Sequence, residues 1–263
     1  MNVVPRMAAL AFLLASALQP APAPVPVRTQ IVSYPSGAET VRGYLALPPD
    51  SIEAMRSAKP GRRPGIIVVH GDHGLNDWTK EQARKLAALG YVVLAVDLYR
   101  GELAQNSEDA HELMRGLPDD RALRDLRAAF TYLSARPDVR ATKIGVLGWN
   151  MGGWYALQLA IHEPRLAACV VNDSALPTDR ADIARIRAPV LGNFGADDRG
   201  IPATALRAFQ NELQSAGESA DFKSYPGAGD DFDDPADMAQ YRPGAAADAR
   251  NRTETFFAKT LQH

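Results

Sequence analysis

Lys143-Ile144-Gly145-Val146-Leu147-Gly148-Trp149-Asn150-Met151-Gly152-Gly153-Trp154 is the stretch on which the fold turns. Its first five residues read as a strand buried on both faces, because apolar residues follow one another without polar alternation. From Trp154 to His162 the pattern is helical. Between the two lies G-x-N-x-G. So abrupt a passage from strand to helix needs neighbours without a Cβ, so that the central side chain, Asn150, projects alone at the helix N-terminus. The backbone N–H of Met151 is then aimed at the same point, where it can stabilise a developing negative charge.

Working outward, the same kind of buried run recurs at Gly65–Val69, Tyr91–Val96, Ala167–Val171 and Pro189–Phe194, with a weaker last strand at Asp221–Tyr225. Thr29–Tyr34 and Val41–Leu47 read as a hairpin turned by Pro35-Ser36-Gly37. Residues 48–64 are polar and rich in Ser, Arg and Pro, hence a loop with at most a short helical turn. Helical spacing marks Trp78–Ala88, Asp119–Ala135, Ile201–Ala216 and Ala245–Leu261. Buried strands alternating with amphipathic helices predict an α/β fold: a mostly parallel central sheet flanked by helices on both faces. There is no internal repeat and no long linker, so residues 29–263 are expected to form a single domain.

Composition narrows the class. The chain has 263 residues, 46% hydrophobic and 23% charged, a globular balance large enough for a substantial core. The net charge is -2 with both signs spread along the chain, so the basic stripe of a nucleic-acid partner is missing. The single cysteine, Cys169, excludes an intramolecular disulfide and sits in an apolar run, as a buried small hydrophobe does. The N-terminus is different in kind. A short basic start, the apolar run Met7–Leu18 and the small-x-small triplet Ala15-Ser16-Ala17 predict a signal peptide over residues 1–17. A Pro/Ala-rich linker follows over residues 18–28. The apolar run is well short of the ~20 residues of a spanning helix, so the expected product is exported, periplasmic or secreted, with no membrane span after cleavage. The alternative is an uncleaved anchor.

In open α/β sheets ligands meet the carboxyl ends of the strands. Gly148–Gly153 stands at such an end, in the strand–turn–helix setting of a nucleophile elbow. Here the chain resembles the dienelactone hydrolase family of α/β hydrolases, whose elbow reads G-x-C-x-G-G. The likeness extends to Val69-His70-Gly71-Asp72-His73-Gly74-Leu75-Asn76, to Gly90-Tyr91 with Val96-Asp97-Leu98-Tyr99-Arg100-Gly101, and to Phe194-Gly195-Ala196-Asp197-Asp198-Arg199-Gly200-Ile201-Pro202. Tyr225-Pro226-Gly227-Ala228-Gly229 and Tyr241–Phe257 complete it, so that it spans residues 29–261.

The resemblance implies an α/β-hydrolase fold and an ester or lactone hydrolase with a Cys-His-Asp triad. Laid on this chain, the nucleophile position is Asn150, the acid is Asp198 (Asp197 if the register slips by one) and the histidine position is Asp230. The family's glutamate after the third strand falls on Gly71, and its substrate-holding arginine falls within Asp231–Asp234. An amide is not a nucleophile, and a carboxylate cannot offer another carboxylate the N–H of an imidazole. The first expectation is therefore a non-catalytic, hydrolase-like protein that binds a small molecule or partner in the old pocket. Met151, Asp72, His73, Trp149, Tyr99 and Arg100 are expected around it, and no cofactor is expected.

The second is an ester or lactone hydrolase with a rebuilt site, aided by a cation on His73, Asp198 and Asp230. The third uses another hydroxyl, Ser174 or Tyr99, with His111 reaching inward from the cap region. Bland readings stand beside these. His70 is a buried strand-end histidine, Trp149 and Trp154 pack, Arg100 forms an ion pair with the acidic loop, and His162 is a helix-end cation.

Overall fold

In the computed structural model, which describes residues 26–49 and 61–263, side-chain alternation sends Ile66 and Val68 to one face of a central strand. It sends Ile67 and Val69 to the other, and all four are fully buried. A strand with two apolar faces must be covered twice, and the remaining elements do so. They run β1 (Arg28–Ser36), β2 (Glu39–Leu47), β3 (Arg63–Val69), α1 (Asp77–Ala88), β4 (Val92–Val96), α2 (Ser107–Arg115), α3 (Asp119–Ala135) and β5 (Val139–Trp149). Then follow α4 (Met151–His162), β6 (Ala168–Asn172), α5 (Arg180–Ile183), β7 (Val190–Gly195), α6 (Ala203–Ser215), β8 (Ala220–Tyr225) and α7 (Pro243–Phe257).

The strands form one sheet in the order β1-β2-β4-β3-β5-β6-β7-β8. β1, β2 and β4 pair antiparallel, and every pair from β4 to β8 is parallel. Phe130, Tyr155 and Phe209 from α3, α4 and α6 fill the core on one face. Leu86 of α1 and Phe257 of α7 fill it on the other. β4 and β5 flank β3 on opposite sides, so the chain reverses its direction of winding there. That switch point leaves a crevice beyond the ends of β3 and β5, where the Asn150 turn and the loop after Val69 meet.

The expected strands are all present, and the α/β-hydrolase fold with them. β5 begins at Val139, earlier than the apolar run suggested, since its first residues are largely exposed. α4 begins at Met151, directly after Asn150. α2 was not legible: it is mostly polar, buries only Ala110, and is started by the Asn106 side chain accepting from Asp109 N. The first hairpin turns on Gly37-Ala38, with Gly37 at φ 60°. The expected leader over residues 1–17, the linker up to residue 25 and residues 50–60 of the expected loop lie outside the described residues. Among the described residues no helix is long and apolar enough to cross a membrane.

Two glycines hold the switch point closed. A Cβ at Gly148 would stand 2.1 Å from the Gly152 carbonyl oxygen, and one at Gly152 would stand 2.3 Å from that of His70. Both obstacles are backbone, so neither can swing aside. Gly148→Ala is expected to destabilise the protein by roughly 4 kcal/mol or more. Gly244→Ala, where a Cβ meets nothing within 4 Å, is expected to stay within about 1 kcal/mol of wild type. Denaturant unfolding of the two variants checks the contrast.

Candidate active site

Asn150 links β5 to α4 with φ 50° and ψ -120°, a left-handed backbone that few residues other than glycine adopt. Its N–H donates to Asn172 O at 3.0 Å, and its carbonyl accepts from Gly153 and Trp154 as the first turn of α4. The side chain is thereby fixed outward at the end of the sheet. Its Nδ2 donates to Asp230 Oδ1 at 2.8 Å. A Cβ at Gly71 would stand 3.5 Å from Asn150 Oδ1, so the missing glutamate side chain would have been aimed at this residue.

The Met151 N–H, the half oxyanion hole, is already engaged. It donates to Asp72 Oδ1 at 3.1 Å. Burial pushes the Asp72 carboxyl above its ordinary range, while the Met151 N–H and the charges of His73 and His111 pull it back. Asp230 is pushed up to about 7 by burial and by the charges of Asp231, Asp198 and Asp72. Asp231, at φ 56°, is raised by burial and by Asp72. The space above the elbow, lined by Asp72, His73, Trp149, Asn150, Asp231 and Asp234 among others, is only about 30 Å³. That is room for about two waters.

The other expected residues scatter. Asp198 turns its Oδ1 to its own loop, accepting from Gly200 N at 2.7 Å, although its charge is felt at Asp230. His73 is exposed. Among the described residues no three His, Cys, Asp or Glu side chains are arranged to hold a metal together, so the set His73, Asp198 and Asp230 is not assembled. Tyr99 is buried beneath the elbow, its hydroxyl donating to Met151 Sδ at 3.2 Å. Ser174 is buried, its Oγ donating to Ala175 O. Neither hydroxyl faces the small space over Asn150.

Arg100 does not reach it either. Arg100 pairs with the buried Asp125 at 2.8 Å and with Glu39 at 2.9 Å, tying the β1–β2 hairpin to α3 rather than meeting the acidic loop. His70 is fully buried: Leu98 N–H can only donate to its Nε2, so the proton sits on Nδ1 and is given to Gly71 O. Burial lowers its pKa and keeps it neutral. Sequence reading missed two carboxyls. Asp173 follows β6 directly, and the strand-end rule applied there points to it rather than to Ser174. Burial, with Asp233, Asp230 and Asp198 nearby, pushes it up to about 9. Its Oδ1 accepts from Gly195 N at 2.7 Å, and its Oδ2 is buried with no partner among the described residues. Asp233 accepts from Trp149 Nε1 at 2.7 Å and is pushed up to about 7, mainly by burial. Nothing in the local sequence marks it, because the loop fold alone brings it to Trp149.

Comparison with known proteins places this arrangement. The model of the dienelactone hydrolase family matches residues 51–261. A Bradyrhizobium protein named "Probable 2-oxo-3-(5-oxofuran-2-ylidene)propanoate lactonase" is 33% identical over 84% of this chain and 90% of its own. A Methylorubrum extorquens protein named "Putative carboxymethylenebutenolidase" is 31% identical over 92% of this chain and 87% of its own. The crystal structure of a dienelactone hydrolase-like promiscuous phosphotriesterase from metagenomic libraries superposes with a TM-score of 0.79 at 26% identity, covering 90% of this chain and 99% of that one.

The raised carboxyls fix a pH dependence. In the folded chain Asp173 and Asp233 hold protons that the unfolded chain has lost above about pH 4, so folding takes up protons and stability falls as pH rises. For Asp233 the window closes near 7 and for Asp173 near 9. The melting temperature is expected to drop by roughly 5 °C between pH 5.5 and 8.5. Asp173→Asn, which keeps the acceptor to Gly195 N and tolerates the φ of 39°, should flatten that drop. Thermal melts of both proteins across this range check it; a wild-type melting temperature that climbs with pH contradicts it.

Proposed function

This chain belongs to the dienelactone hydrolase family, and from that premise we propose that it keeps the family's frame without its nucleophilic chemistry and serves as an exported small-molecule-binding protein. The observation that carries the reading is the double occupation of the elbow. Asn150 is hydrogen-bonded to Asp230 where the family has thiol and imidazole, and Asp72 caps the Met151 N–H. An amide has neither the basicity nor the removable proton of a nucleophile. An oxyanion forming at Met151 would displace or face a carboxylate, and loss of one such donor costs about 10²–10³ in rate.

One observation favours a second reading, a hydrolase with a rebuilt site. Asp230, raised to about 7, is placed beside Asn150 and is poised as a general base for water at neutral pH.

Hydrolysis of p-nitrophenyl acetate separates them. Wild type is expected to match Asn150→Ala and buffer, whereas the triple change Asn150→Cys, Asp230→His, Asp72→Ala should exceed wild type by about a hundredfold. Wild-type turnover that disappears in Asn150→Ala would sink the proposal. Turnover that survives Asn150→Ala and disappears in Asp230→Asn would establish the rebuilt site.

A further inference from the structure

Behind the elbow lies a larger space. Between α1 and α7, on the sheet face opposite α3 and α4, is a cavity of about 280 Å³. Trp78 and Trp149 line both this cavity and the small elbow pocket. Their rings meet edge to face, 4.8 Å between centroids at 72°, and form the partition between the two. The remaining wall is mostly apolar: Leu86 and Leu147 on the inner side, Tyr241 and the alanines of α7 opposite. Those alanines explain the void, since Ala246 and Ala247 present only methyl groups where α7 passes over the sheet.

Three polar groups are set into that wall. Asn172, 3% exposed, accepts through Oδ1 from Asn193 Nδ2, and its own Nδ2 is given no partner among the described residues. Thr253, 7% exposed, accepts from Asn193 Nδ2 at 3.5 Å and retains its hydroxyl proton. Asp233 lines the cavity with one oxygen held by Trp149 Nε1. Set in the cavity wall, the Asn172 amide has N–H donors to offer a guest or water. Lys85, Arg250 and Glu254 also line it, with Glu81 held by Arg84 at 2.7 Å, so charges of both signs border the cavity.

We propose that this cavity is a binding site for a one- or two-ring aromatic molecule bearing a neutral hydroxyl or carbonyl oxygen. The size is right: apolar cavities of about 150 Å³ accept benzene, and this one is nearly twice that. The flat, aromatic walls stack the ring, as small-molecule pockets commonly do. The guest oxygen accepts from Asn172 Nδ2 and Thr253 Oγ1. A carboxylate guest is disfavoured above about pH 7, where Asp233 in the same wall is ionised. The assignment deepens the binding role proposed above and rests on it for its purpose, but its test does not pass through the elbow.

The probe is 2-naphthol, followed by calorimetry and by quenching of tryptophan fluorescence, with 2-naphthoate in parallel. Saturable one-to-one binding is expected with Kd of about 10–100 µM, at least tenfold weaker for 2-naphthoate. Filling the cavity by Ala247→Phe should weaken 2-naphthol at least tenfold, and Ala246→Phe serves if that variant does not fold. Thr253→Val should weaken it about threefold or more. In the unmodified protein, nuclear Overhauser contacts from the naphthol ring to the indole protons of Trp78 and Trp149 are expected. No binding by wild type at 1 mM overturns the proposal. So does binding that survives both fillings and shifts instead with Asp72→Ala, which puts the guest over the elbow. Ester turnover, present or absent, bears on the elbow reading alone.

Discussion

The left-handed backbone at Asn150 is the constraint on which the rest of the structure depends. It is held by backbone alone: Asn150 N on Asn172 O, Asn150 O under the first turn of α4, and Gly148 and Gly152 in contact with carbonyls that leave no room for a methyl group. Because those contacts join β5 to β6 and β3, the turn locks the sheet at the place where its winding reverses. It also sets the N-terminus of α4 against the loop after β3. None of this requires a particular chemistry at position 150. It requires only that the surrounding backbone hold the residue at φ 50° and ψ -120°, which lies outside the left-handed α well that asparagine favours.

A helix N-terminus with free N–H groups attracts negative charge. In a working hydrolase that charge arrives with the reaction. Here it is built in: Asp72 sits on Met151 N, and Asp230, Asp231, Asp233 and Asp173 gather within electrostatic reach of one another. So many carboxyls cannot all ionise cheaply in a poorly hydrated place, and burial with mutual repulsion raises their pKa values. Asp173 holds its proton past neutrality, and Asp230 and Asp233 titrate near it. The acidic floor is therefore less charged near neutrality than its sequence suggests.

How much of this was legible in the sequence follows from what each feature depends on. The buried strands were readable because period and apolarity are local properties. The elbow was readable because its glycines answer to backbone crowding within five residues. Arg100 was misplaced because its partner, Asp125, is buried on α3, far along the chain, and an exposed strand-end arginine looks the same in sequence whichever way it turns. Asp233 was invisible because its role arises from the path of the loop after β8, which carries no periodic signal. Asp173 was overlooked although the rule that finds it was in hand: a hydroxyl at Ser174 drew the eye, and the structure buries that hydroxyl on its neighbour's carbonyl.

Trp149 ties these threads together. Its backbone closes β5 against Asn172, its neighbour is the elbow residue, and its indole N–H holds Asp233. Its ring, with that of Trp78, stands between the small cleft beside Asn150 and the larger rear cavity. The backbone frame around Asn150 and the rear cavity are thus two aspects of one arrangement, joined through the tryptophans. A guest in the rear cavity would meet the same indole that donates to Asp233, so the proposed rear site and the path of the acidic loop share one side chain.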